Sequence, residues 1–201
     1  MPIPSLVANN LIPLGALAPS GLPPAPTGGA KKARPTTKKA TRALAFAMQK
    51  QQQTNWCWPA VSASVAQFYS SATTWAQQCH IASSELGQTC CPPGINPGVC
   101  NIPWYLDRAL TRVGHLNTWA ASSTTMAKIQ GEINAGRPLG ARVGWASKDG
   151  HFVVVSGYSI AGVFNLVTID DPIYGRSTIS LASFQNSYQG SGSWTHTYWT
   201  R

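Results

Sequence analysis

Apolar and polar positions change rhythm midway along the chain. The stretch CWPAVSASVAQFYS, from Cys57, places Val61, Val65, Phe68 and Tyr69 on one face of a helix. Pro59 falls in its first turn, where a missing N–H has no partner in any case. Three more helices are expected: TWAQQCHIASSELG, ending at Gly87; IPWYLDRALTRVG, ending at Gly114; and TTMAKIQGEINAG, with Thr124 or Thr125 as N-cap and Gly136 as the stop. After Gly136 the period drops to two. LGARVGW, HFVVVSGYSI, VFNLVTID, STISLASF and SWTHTYW read as five strands separated by Gly, Pro and Asp turns, with a hairpin turn in SIAGVF. A further short strand is expected in ALAFAMQ. Helices come first and an antiparallel sheet second, an α+β arrangement with no internal repeat.

Ahead of about Ala45 neither rhythm appears. Residues 1–44 are rich in Pro, Gly, Ala and Lys and cannot bury enough apolar surface to offset the ordering of their backbone. They read as a disordered basic leader or linker, followed by one domain over 45–201. Charge follows the same division. Residues 1–50 carry seven basic side chains and no acidic one, whereas 51–201 carry eight basic and six acidic. The high net charge therefore belongs to the front of the chain, and a basic globular surface for nucleic acid is not expected. The run AKKARPTTKKATR has the charge to meet phosphate or acidic lipid heads; the preferred reading is a solvated linker. TGGA at 27–30 raises double-glycine leader cleavage, against which stand the prolines just upstream. No apolar run approaches the roughly 20 residues of a membrane span, and the opening lacks the basic region of a secretory signal.

Chemistry concentrates around Cys57, between two tryptophans at the head of the first helix. A thiol attacks as thiolate, which a helix N-terminus and a neighbouring imidazole both favour. Of the four histidines, His80 lies inside a helix, His115 follows a helix-ending glycine and His196 sits mid-strand. His151 instead opens the most apolar strand, where it can face a cleft while the strand holds it rigid. A third group should fix the imidazole tautomer. If 151–158 and 163–170 pair as a hairpin, Asp170 and Asp171 return beside His151. Asp171 is preferred because Pro172 locks the backbone after it, with Asp170 as the fallback. Oxyanion donors are expected from the Cys57 N–H and from an amide among Gln51, Gln52 and Gln53.

QQQTNWCWPAV, GRPLGARVGW, GHFVVVSGY and IDDPIYG together resemble the bacterial papain-like cysteine proteases, in particular the branch with avirulence-effector proteases of plant pathogens. The likeness covers about residues 45–201. It implies a papain-like two-lobe fold, with a helical N-terminal lobe and an antiparallel β-sheet C-terminal lobe around the active site. It also implies Cys57 as nucleophile, His151 as base, Asp171 as orienting carboxylate and Gln51 as oxyanion glutamine. Plant papains carry Asn as third member and a Gly-rich approach to the cysteine, where this chain has Asp and TNW. The implied activity is peptide-bond hydrolysis through an acyl-enzyme. A thiol amidase acting on cell-wall peptide or isopeptide bonds would use the same groups. A catalytically silent binding module on the same fold is the reading from another class; a leader-binding peptidase domain of a transporter is a related one.

Cys79, Cys90, Cys91 and Cys100 remain, an even number within a short span that reads as two disulfides. A bond between the neighbours Cys90 and Cys91 would be strained, leaving 79–90 with 91–100, or 79–91 with 90–100. A zinc site from these four, or from three with His80, lacks the usual C-x2-C knuckle. Disulfides place the protein in an oxidising, secreted or extracytoplasmic setting, with the export route open. A protein or peptide substrate is expected, and a monomer with no cofactor, metal or nucleic acid. Of the eight tryptophans, Trp56 and Trp58 are candidates to shape the cleft, with Trp58 equally a core residue, and Trp75, Trp104, Trp119, Trp194 and Trp199 read as core and sheet faces rather than a carbohydrate platform.

Overall fold

The computed structural model describes residues 40–147 and 149–201. Along the chain run β1 (Ala40–Ala43), α1 (Cys57–Tyr69), α2 (Gln78–Leu86), α3 (Pro97–Cys100), α4 (Leu106–Arg112), β2 (Leu116–Ala120) and α5 (Met126–Asn134). They are followed by β3 (Leu139–Gly144), β4 (Gly150–Ala161), β5 (Phe164–Asp171), β6 (Gly175–Ser180), α6 (Leu181–Asn186) and β7 (Ser193–Thr200). The strands make one sheet in the order β2-β7-β3-β4-β5-β6, with β1 also against β4. Every pairing is antiparallel. Helices and a large antiparallel sheet give the α+β class.

The sheet's spine is β4, buried continuously from His151 to Tyr158. β3 occupies one of its edges over Gly150–Val155 and β1 the rest of that edge, from Gly157 to Ile160. Gly157 permits the approach: a Cβ there would lie 2.9 Å from the Arg42 carbonyl oxygen and 3.0 Å from Ala43. The short N-terminal strand is thus Ala40–Ala43, ahead of the boundary expected at Ala45 and ahead of most of ALAFAMQ. Beyond Ala43 no stretch of that edge is free, because β3 begins opposite Val155. The chain instead continues without regular structure, pinned by Leu44 N–H to the Ser156 carbonyl (2.8 Å) and Gln49 N–H to the Ser64 hydroxyl (2.9 Å). The remainder of the expected leader, residues 1–39 with TGGA and most of the basic run, lies outside the described residues.

α1 is buried on every side from Cys57 to Ala66, so it is the hub of the core rather than a helix with one apolar face. Its two interior serines bond back one turn, Ser62 to the Trp58 carbonyl and Ser64 to the Ala60 carbonyl. α2 begins at Gln78, later than TWAQQ indicates, and stops at Gly87, which is left-handed with φ 64°. On α5 the N-cap is Thr125, accepting from Lys128 N–H. STISLASF is two elements, because the Ser180 hydroxyl accepts from Ser183 N–H (2.9 Å) and starts α6 where the strand would have run on. Edge strand β2 pairs with β7 across an irregular register. Among the described residues no helix is long and apolar enough to cross a membrane.

Candidate active site

The segment before Cys57 lacks regular structure, and neighbouring side chains fix it. Trp56 and Trp58 are fully buried, and each indole N–H donates to a carbonyl of one loop, Trp56 to Cys100 (2.7 Å) and Trp58 to Ile102 (3.1 Å). Asn55 adds two bonds to Asn101, through its backbone N–H (2.9 Å) and its amide (2.8 Å). The accepting loop is itself stapled. Cys79 bonds to Cys91 and Cys90 to Cys100, the second of the two pairings the sequence left open. With the Cys79 and Cys91 sulfurs joined to each other, their grouping with His80 offers no thiolates to a metal. Cys57 is the free cysteine among the described residues and is buried.

Cys57 opens α1, whose start has no side-chain cap. The first N–H groups of a helix have no intrahelical partner and carry its positive end, so the backbone at Cys57 offers donors to an anion beside the sulfur. Gln51 sits differently from expectation. Its amide nitrogen donates to the carbonyls of Gln53 (2.9 Å) and Thr54 (2.8 Å), which occupies both of its hydrogens. Its carbonyl oxygen is buried without a partner. The backbone N–H of Gln51 donates to the Pro172 carbonyl (3.0 Å), tying the approach to Cys57 to the turn after Asp171.

His151 enters β4 opposite Val143 of β3. Its Nε2 bonds Asp171 Oδ1 at 2.9 Å, with the carboxylate fully buried. Register selects between the two aspartates. Asp170 faces Val154, so the alternation of strand side chains puts Asp171 on the face shared by Val153 and His151. Asp170 is held elsewhere, by Arg176 at 2.7 Å, whose guanidinium also donates to the Phe46 carbonyl (2.6 Å). Asp171 is saturated: Oδ1 also accepts from the N–H groups of Ile173 (2.7 Å) and Tyr174 (3.0 Å), and Oδ2 from the Tyr188 hydroxyl (2.8 Å).

Burial by itself would push the Asp171 carboxyl up; the bond and charge of His151 and the two backbone donors outweigh it and hold the group below its usual range. For His151, burial opposes protonation. The Asp171 bond, the Cys57 thiol beside the ring and the Asp171 charge override it and raise the imidazole to about 9. Burial and the facing carboxylate push the Tyr188 hydroxyl well above the usual tyrosine range, so it stays a donor. Sequence reasoning missed Tyr188 because it lies in a loop, closed by its bridge to Gly192, with no periodic signal.

Cys57 and His151 both line a cavity of about 260 Å³, with Trp58, Trp104, Trp145 and Tyr174 among its walls. Gln51 does not line it. Trp104 is held by Glu85, which accepts its indole N–H (3.0 Å) and an Arg112 bond (2.8 Å), while Arg108 lies over the ring at 5.1 Å. The other histidines are engaged elsewhere. His115 bonds the Arg201 carbonyl, His196 bonds Thr195 and lies near Trp119, and His80 is exposed on α2.

One family model, described as "Peptidase_C39 like family", matches residues 43–196, most of the chain. The chain belongs to this family. Membership in the Peptidase_C39 like family supports a cysteine peptidase, a hydrolase of protein substrates. A comparison with curated proteins finds no match.

Proposed function

We propose that the protein is a papain-like cysteine endopeptidase, of the kind its sequence shares with avirulence-effector proteases, with the helices α1–α4 and the sheet as the two lobes of its cleft. The peptidase domain spans residues 45–201 with β1 added at its front, and the preceding basic segment is a leader or linker. The observation that carries the reading is the commitment of the imidazole: Nε2 is held by a buried carboxylate, which leaves Nδ1 for the Cys57 thiol in the same cavity.

In the proposed reaction the Cys57 sulfur, its proton passed to His151, forms a bond to the scissile carbonyl carbon while the C=O electron pair moves onto oxygen. Helix-start N–H groups receive that oxyanion. Collapse expels the amine, which takes the proton from His151. Water then attacks the acyl-enzyme as His151 removes its proton, and the carbon–sulfur bond breaks to return the thiol. Gln51 joins as a donor only by giving up one of its two carbonyl partners. Gln51→Ala should then lower the turnover rate by on the order of 10²-fold; an unchanged rate would leave the helix start as the sole oxyanion site. The two disulfides support secretion or another extracytoplasmic location.

Alkylation tests the reading directly. Cys57 should react stoichiometrically at neutral pH, faster than free cysteine. His151→Ala should slow that reaction and abolish peptide hydrolysis while the protein still melts cooperatively. Equal, slow alkylation in parent and variant would exclude the Cys57–His151 pair. A substrate panel of proteins and muropeptides separates the endopeptidase from a cell-wall amidase.

A further inference from the structure

Three carboxylates are buried among the described residues: Glu85, Asp170 and Asp171. Asp171 faces His151 and Asp170 holds Arg176, which leaves Glu85, on α2, with no part in the proposed reaction. Its side chain is 2% exposed, while Arg108 and Arg112 on α4, its two cationic partners, keep 54% and 41% of theirs in solvent. Stability alone is a weak reason for such a buried ion pair, because apolar side chains of similar volume serve as well. A tie between α2 and α4 would need only the arginines. The carboxylate makes a third bond, to a loop. Oε2 accepts the Trp104 indole N–H at 3.0 Å, beside the Arg108 contact at 3.3 Å, and Oε1 accepts from Arg112 at 2.8 Å. Burial by itself would raise the carboxyl; the Arg112 and Trp104 bonds and both arginine charges outweigh it and hold the group below its usual range, so it stays an acceptor.

Trp104 lies just ahead of α4 and lines the cavity that holds Cys57 and His151, whereas Glu85, Arg108 and Arg112 do not line it. Its indole is fixed in two ways. The Glu85 bond sets the direction of the N–H edge, and the Arg108 guanidinium, 5.1 Å from the ring centre, sits over a face. Without such partners the torsion of an indole about its ring bond is broad and roughly two-fold. We propose that Glu85 is a positioning residue for substrate: by orienting Trp104 it shapes the wall against which the peptide's side chains pack beside Cys57. This role rests on the peptidase reading.

Two alkylating reagents separate this role from that reading. Iodoacetamide is small enough to reach the Cys57 sulfur without using the walls. A dipeptidyl chloromethyl ketone carrying phenylalanine, whose chloride the sulfur displaces, must first lie among Trp58, Trp104, Trp145 and Tyr174. Glu85→Met, of similar length but with no acceptor, should slow capture of the ketone about tenfold and leave the iodoacetamide rate at the parent's. Trp104→Phe keeps a ring and loses the N–H. It should show the same split, and adding Glu85→Met to it should cost nothing further. Glu85→Gln keeps one acceptor for the indole and should slow the ketone about threefold; it supplies the measurement if the methionine variant fails to melt cooperatively. Ketone rates equal to the parent's in the Glu85 variants overturn the proposal. So do equal losses with both reagents, the mark of a purely structural carboxylate, and losses that add in the double variant. A parent in which neither reagent labels Cys57 removes the peptidase reading itself, and the positioning role with it.

Discussion

The two partners of the proposed catalytic pair are held by different physics. His151 and Asp171 stand on adjacent strands of a continuous ladder, and each has neighbours on both sides. Cys57 stands at a helix head reached through an irregular segment, positioned by indole and amide bonds to residues 100–102. That loop in turn depends on the Cys90–Cys100 and Cys79–Cys91 bonds. His151 inherits its place from a cooperative sheet, and Cys57 from a few local contacts that oxidation secures. A strong reductant should therefore disturb one side of the site and spare the other.

Replacing Cys90 and Cys100 by serine tests this contrast most severely. Closing a loop of this length contributes about 3 kcal/mol, so the melting temperature should fall. Peptide hydrolysis should drop by about 10²-fold as the anchor of Trp56 loosens. The His151 titration, followed by NMR, should stay raised above 6.5 by Asp171 and lose only the part of its rise that the Cys57 thiol supplies. A histidine that moved as much as the rate would show that the two sides are one unit.

Acidity sharpens the comparison on the sheet side. His151 is raised to about 9 from an unfolded 6.5, so its contribution to stability is fully present below about 6.5 and is lost as pH rises through about 9. Asp171 is depressed, so its contribution is present above the unfolded value of 3.8 and disappears as pH falls through its lower folded value. Melting temperature should therefore decline from pH 6.5 to 9, and His151→Gln should flatten that decline. Hydrolysis should fall along an alkaline limb near 9, where the imidazolium that protonates the leaving amine is lost.

Tyr188→Phe gives the smallest expected change. Its hydroxyl is one of four donors to Asp171, and hydrogen bonds to charged groups contribute about 1.5–3 kcal/mol. Turnover should fall by about tenfold with little change in KM. The alkaline limb should move upward, because a carboxylate with one donor fewer binds the imidazolium proton more strongly. A tyrosine that only fills space would leave the limb unmoved.

Elements with a long, clean period were legible in the sequence. α1, β4 and β5 stand where the pattern puts them, and the hairpin that carries Asp171 back toward His151 followed from that pattern alone. What escaped depended on partners distant in sequence. LNTWA gives no alternation strong enough to mark β2, which exists because β7 offers it an edge. Ser180 reads as one more strand serine until its hydroxyl caps α6. Gln51 has the right residue type at the expected distance before Cys57, but its amide is taken up by two carbonyls that only the folded loop brings to it. Between Asp170 and Asp171 the sequence offered a preference for Asp171, from Pro172; the contact with His151 rests on the register, which is irregular between Val155 and Gly157.

The two adjacent aspartates also make the sheet sensitive to misalignment. Were β5 to slide one position along β4, every side chain would change face. His151 would then meet a carboxylate tethered to Arg176, and the strap through Phe46 would lose its anchor. A chain folded in that alignment would keep its strands and lose its chemistry, so activity reports correct assembly of the hairpin as well as the presence of its residues.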